Sequence, residues 1–139
     1  MIRKKSRWFG GALMAVVLTV TGLVASPAAA LAATPLYAES YDDYYNGYGY
    51  ATWSNTGQYS SFQVCDFGAG DARRAVGYIW WQGGGTIERH ADGGSGTCST
   101  PVNVYVPAGR WVSMEVCERK GVNGLDEKCG PVSQGVAGS

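Results

Sequence analysis

From Gly49 onward, short apolar runs with a two-residue period are separated by turn residues. Gly49 to Trp53 reads as a strand ended by the turn Ser54-Asn55-Thr56-Gly57. Tyr59 to Asp66 follows, with Phe62 and Val64 on one face, and then the polar loop Gly68-Ala69-Gly70-Asp71. The strongest run, Ala75 to Gln82, stops at Gly83-Gly84-Gly85, and the weaker Thr86 to Ala91 precedes the loop Asp92 to Gly96. Val102, Val104 and Val106 alternate between Pro101 and Pro107, and Val112, Met114 and Val116 alternate after Ala108-Gly109-Arg110. Those two runs predict a hairpin, and Val132 to Val136 predicts a short closing strand. Beyond the first residues no stretch keeps a 3.6-residue apolar period over a helix-forming length. About seven short strands joined by turns predict an all-β fold, a two-sheet antiparallel β-sandwich spanning residues 51–139.

The beginning of the chain has a different pattern. Arg3, Lys4, Lys5 and Arg7 form a basic stretch ahead of the apolar run Gly11 to Val24, which breaks at Ser26-Pro27 and passes into the small residues Ala28 to Ala33. This is the organisation of an export signal, with cleavage expected after Ala32 or Ala33, and the run is too short for a stable membrane anchor. Residues 1–32 are therefore expected to be a signal peptide, and the product to be secreted with no further attachment to the membrane.

Between the signal and the strands, residues 33–50 hold Tyr37, Tyr41, Tyr44, Tyr45, Tyr48 and Tyr50 together with Glu39, Asp42 and Asp43, without a basic residue. The aromatics follow neither a helical nor a strict two-residue period, and aliphatic residues are scarce. The segment reads as an extension that stays extended or disordered until something holds it: either a spacer or a recognition strand. Tyrosine suits recognition because it offers a large contact area, few rotamers to freeze and a hydroxyl tip.

Four cysteines, Cys65, Cys98, Cys117 and Cys129, lie in the exported part. An even count in an oxidising compartment points to two disulfides. Cys117 and Cys129 flank a polar loop, which favours pairing them with each other and Cys65 with Cys98 over the two other connectivities, the bridges tying loops or facing sheets. Removing the signal leaves seven basic residues against eleven acidic ones, a net charge of −4. Without a Lys/Arg cluster, nucleic acid and anionic membrane are not expected as partners.

Candidate chemistry is sparse. One histidine, His90, stands with serines such as Ser60, Ser61 and Ser99, but no nucleophile-elbow motif marks any of them, so a surface histidine is the better reading. Glu88, Glu115, Glu118 and Asp66 offer carboxylates for glycosidase chemistry, as any acidic sequence does. Zinc lacks a Cys-x-x-Cys spacing, and Asp66 to Asp71 and Asp42-Asp43 lack the EF-hand order, so loop-capping aspartates are preferred to calcium ligands. The chain is expected to be no enzyme and to need no metal or cofactor. Trp80-Trp81 is the most informative dipeptide, because neighbours in a strand point to opposite faces, so one should be buried and the other not. The exposed one, joined by Trp53 or Trp111, is a candidate interface anchor or sugar platform.

The order Phe62-Gln63-Val64-Cys65-Asp66, Asp71 to Tyr78, Gly94-Ser95-Gly96-Thr97-Cys98, Val116-Cys117-Glu118-Arg119 and Cys129-Gly130 resembles that of small secreted actinobacterial proteins. These are similar in size to the small adaptor subunit of the umbrella toxin particles of Streptomyces, which joins a lectin subunit to a large repeat-built toxin chain. The resemblance implies a protein-binding adaptor whose N-terminal extension enters a lectin partner, and it implies no catalytic residue. The leading expectation is a secreted, non-catalytic protein-binding module that uses Tyr37, Tyr41, Tyr44, Tyr45, Tyr48, Tyr50, Trp80 and Trp81. The alternatives are a carbohydrate-binding module with an exposed tryptophan and an inhibitor of a secreted hydrolase that inserts the loop Arg119 to Lys128.

Overall fold

Alternating residues need a second apolar layer to bury one of their faces, and the computed structural model supplies it as two packed antiparallel sheets. The structure describes residues 33–41, 48–57, 59–68 and 72–138. Among these the strands are β1 (Leu36–Glu39), β2 (Gly49–Trp53), β3 (Tyr59–Asp66), β4 (Arg73–Trp81), β5 (Thr86–His90), β6 (Thr97–Cys98), β7 (Val102–Tyr105), β8 (Trp111–Lys120), β9 (Asp126–Glu127) and β10 (Ser133–Val136). The first sheet runs β1-β2-β3-β6, with β7 also on β3; the second runs β10-β8-β4-β5, with β9 also on β8. In each sheet one long strand shares an edge between two short partners.

The inner faces follow from the two-residue period. Leu36 and Ala38, Ala51 and Trp53, Phe62 and Val64, and Val104 meet Ile79, Val112, Met114 and Val116 of the other sheet. Each fully buried large side chain contributes about 1.5–3 kcal/mol relative to exposure. Gly77 permits this approach, since a Cβ there would stand 2.4 Å from Val64 Cγ2. The expected two-sheet sandwich is the observed one, and both favoured disulfides, Cys65–Cys98 and Cys117–Cys129, are present.

Several expectations are corrected. The hairpin of Val102–Val106 with Val112–Val116 does not form: β7 pairs with β3, whereas β8 pairs with β4, β9 and β10. Between them the chain turns at Pro107 to Arg110 and changes sheet. Alternation specifies which face a residue buries, not which strand lies beside it. The bridges do not join facing sheets either. Cys65 and Cys98 are directly opposed on β3 and β6, and Cys117–Cys129 ties β8 to the loop after β9.

The sheet does not begin at residue 51. β1 pairs with β2 through Leu36↔Trp53, Tyr37↔Thr52, Ala38↔Ala51 and Glu39↔Tyr50, so this part of the supposed extension is an edge strand held within the fold. Leu36 and Ala38 alternate with Tyr37 and Glu39, a four-residue strand signal masked by the surrounding tyrosines. Its entry is fixed by the buried Asn55, whose Nδ2 donates to the carbonyls of Thr34 (2.8 Å) and Val136 (3.0 Å) while its Oδ1 accepts from Gly138 N–H (2.8 Å). Its exit is fixed by Ser40, whose N–H donates to Gly49 O and whose Oγ accepts from Gly49 N–H. The signal-peptide expectation concerns residues outside those described. Among the described residues no helix is long and apolar enough to cross a membrane. Two disulfides accord with an oxidising, extracellular environment.

Candidate functional site

Apart from Glu39 on β1, the outward positions of the first sheet carry mainly aromatic and neutral polar side chains. Tyr37 stacks on Tyr50 (ring centroids 5.5 Å apart), Tyr50 on Phe67 (5.5 Å), and Phe67 on Tyr48 (6.0 Å). This ladder crosses β1, β2 and the residues following β3. Tyr59 of β3 and Tyr105 of β7 form a second pair, 5.6 Å apart, at the other end of the same face. Between the two groups lie Thr52, Ser61 and Gln63 on successive outward positions. The Tyr37 hydroxyl donates to Glu39 Oε1 at 2.5 Å; burial, and then this bond, push the phenol well above its ordinary range. The ring is thereby fixed on both its face and its tip.

β1 also leaves backbone groups open. Ser40 bonds to Gly49, and inward-bonded residues alternate along an antiparallel pair, so the amides and carbonyls of Tyr37 and Glu39 point away from β2. A groove of about 500 Å³ runs along this edge between Tyr37–Tyr41 and Pro131–Ser133. It closes where Tyr41 N–H donates to Lys128 O (2.8 Å) and Gly130 packs against the Glu39 carbonyl.

The outward positions of the second sheet form a charged network. Arg119 donates through Nε to Asp126 Oδ1 (2.7 Å), through Nη1 to Glu88 Oε1 (2.9 Å) and through Nη2 to the Tyr78 hydroxyl (2.6 Å). Tyr78 donates onward to Asp126 Oδ2 (2.5 Å), and Glu88 Oε1 lies 2.6 Å from His90 Nε2. Burial raises the Asp126 carboxyl, but the bonds from Arg119 and Tyr78 outweigh it and leave the group below the usual carboxylate range. Burial and the bond to Asp126 raise Tyr78. A general acid needs a raised carboxyl, so Asp126 is the wrong kind of group for that role. Glu88 is bonded by Arg119 and lies against His90, while Ser60 and Ser99 brace the first sheet by bonding Thr56 N–H and Val64 N–H. No nucleophile and base are brought together among these candidates.

Glu115, Cys117 and Cys129 gather within 4.8 Å, but both sulfurs are engaged in the disulfide and cannot act as thiolate ligands. Asp66 Oδ1 accepts from Gly68 N–H (2.8 Å) and caps the turn after β3, whereas Asp42, Asp43 and Asp71 lie outside the described residues.

Of the tyrosines and tryptophans expected to bind a partner, Tyr37, Tyr48 and Tyr50 are the ones brought together among the described residues. Tyr41 is 68 % exposed at the end of β1, and Tyr44 and Tyr45 lie outside the described residues. Trp80 and Trp81 point to opposite faces as expected, but the contrast in burial is absent, since both are half-buried: Trp81 packs against the core at the end of β4, and Trp80 stands on the charged face. Trp53 is wholly buried and offers no platform; Trp111 is exposed, again on the second sheet. Sequence reasoning missed Phe67, Tyr59 and Tyr105. A signal was available, since Tyr59, Ser61, Gln63, Cys65 and Phe67 share one two-residue register. No protein-family model matches the chain, and no curated protein or solved structure matches it either.

Proposed function

We propose that the chain is a secreted, non-catalytic protein-binding module that docks through the aromatic ladder of the first sheet. The observation that carries this reading is the continuous stack Tyr37–Tyr50–Phe67–Tyr48 on a face without a buried cation or a charge network. Tyrosine and phenylalanine are enriched at interface cores, and rings already immobilised by stacking lose little further freedom on docking. The open amide and carbonyl of Tyr37 and the amide of Glu39 lie at the end of the ladder, so a partner strand can add to this part of β1 while its side chains meet the rings. The more specific role is that of an adaptor joining a lectin to a large subunit of an extracellular toxin particle; its support is the resemblance in cysteine order to small secreted actinobacterial proteins, which are similar in size to such an adaptor.

A native pulldown from the producing organism's culture supernatant tests the reading. Secreted proteins retained by the wild type should be lost with Tyr50→Ala combined with Phe67→Ala. Retention by that variant would refute docking through the ladder. Deleting residues up to 50 is unsuitable, because it removes β1 and the first residues of β2 along with Leu36 and Ala38 of the core.

A further inference from the structure

A second groove, of about 520 Å³, opens on the outer face of the first sheet beside the ladder. Its floor is Thr52, Ser61 and Gln63, with Ser54 and Thr56 at one end, while Pro35, Leu36 and Tyr37 make its β1 side mainly apolar. Tyr37 is opposite Thr52, and Thr52 is opposite Gln63, so these three form one row across three strands. Ser61, paired with Asn103, forms part of the next row, and Tyr59–Tyr105 closes the strip two positions further along β3 and β7. None of these side chains carries a charge at neutral pH, and the carboxylate of Glu39, on β1 beside Tyr37, is engaged by the Tyr37 hydroxyl.

We infer that this groove is a binding site for a neutral glycan chain. The inference goes beyond the docking role proposed above and does not require it. A charged ligand would find no counter-ion on the floor, and a ligand without hydrogen-bonding groups would leave the floor's hydroxyls and amide unpaired, while the Pro35, Leu36 and Tyr37 side calls for an apolar surface. A chain of sugar rings matches both features. Its hydroxyls exchange hydrogen bonds with Thr52, Ser61 and the Gln63 carbonyl, while its C–H faces lie on the Tyr37 ring. The floor is pre-set: Gln63 Nε2 donates to Ser99 O (3.0 Å), aiming the other end of the amide, and Ser54 Oγ accepts from Ser61 N–H (2.9 Å). Among the described residues the Thr52 hydroxyl has no partner, which leaves it available to a ligand. The groove lies within the size range of small-ligand sites.

Affinity gel electrophoresis tests this, with protein produced from the full-length chain and gels containing laminarin, xyloglucan or soluble starch. Retardation by at least one of these is expected, and it should persist at about 0.5 M NaCl, where screening would abolish attraction between exposed charges. Thr52→Val combined with Gln63→Ala should weaken the affinity roughly tenfold or more, because a site built to bond hydroxyls discriminates strongly once its polar groups are removed. Tyr37→Ala should weaken it similarly and Tyr37→Phe should restore it, since the ring and not the hydroxyl lines that side. Phe67→Ala should leave glycan retardation intact even where it abolishes protein capture, which separates this site from the docking ladder. Unchanged thermal unfolding of Thr52→Val with Gln63→Ala keeps the comparison free of misfolding. Retardation by none of the three polysaccharides overturns the inference, as does retardation that survives the double substitution.

Discussion

The two sheets bury their inner faces with the same aliphatic alternation, yet their outer faces solve the problem of polar strands in opposite ways. On the second sheet Tyr78, Glu88, Arg119, Asp126 and His90 satisfy one another in a closed set of short hydrogen bonds. On the first sheet the rings stack, while the Thr52 hydroxyl and the edge of β1 remain open. A polar group that already has its partners gains nothing from a ligand, whereas one facing water exchanges its bonds at small cost. Charge density alone would have pointed to the second face. Counting which groups are already satisfied points to the first.

The largest effects expected from perturbing this contrast are on stability, because each outer face carries one disulfide. Closing a loop of 33 residues constrains the unfolded chain more than closing one of 12. Cys65→Ala with Cys98→Ala should therefore cost about 4 kcal/mol and Cys117→Ala with Cys129→Ala about 3 kcal/mol in urea unfolding. Equal losses, or the reverse order, would show that the bridges act through the folded state instead.

Next comes the charged network. Arg119→Ala removes the hub of three hydrogen bonds and should destabilise by about 1–2 kcal/mol at neutral pH, reduced by the exposure of its partners. Asp126 is held below its ordinary range in the folded state, so its contribution is present above the unfolded carboxyl value of about 3.9 and is lost as pH falls through the folded one. The difference between wild type and Arg119→Ala should shrink below about pH 4, as thermal unfolding across pH would reveal. Protein capture should be unaffected.

Tyr50→Ala and Phe67→Ala should give the opposite profile: about 1 kcal/mol of stability each, read by thermal unfolding, with partner retention abolished. Smallest of all, Trp111→Ala on the second sheet should change stability by no more than about 0.5 kcal/mol and leave capture intact, despite removing a large exposed aromatic. Loss of capture there would shift the binding surface to the other face.

Much of the fold was legible because burial imposes a two-residue period on each strand. Gly49–Trp53 and Tyr59–Asp66 have the expected bounds, and the cysteine spacing around a polar loop indicated the pairing. Neighbour relations were not legible. Val104 and Val112 both point into the core from opposite sheets, and nothing in an alternating run states which edge it will meet. β1 escaped notice because only Leu36 and Ala38 mark it, amid residues whose composition signals disorder. Tryptophan was a misleading guide to the site: Trp53 is buried by the same alternation that exposes Tyr50 and Thr52. Residues far apart in the chain, such as Tyr37, Thr52 and Gln63, become one row only through strand register.

The most direct test of the account places the two faces in one experiment. Native pulldowns from culture supernatant would compare wild type with Tyr50→Ala plus Phe67→Ala and with Glu88→Ala plus Arg119→Ala, all three confirmed as folded by circular dichroism. The account predicts that partners are lost only with the first-sheet variant. Loss with the second-sheet variant and retention with the first would contradict it.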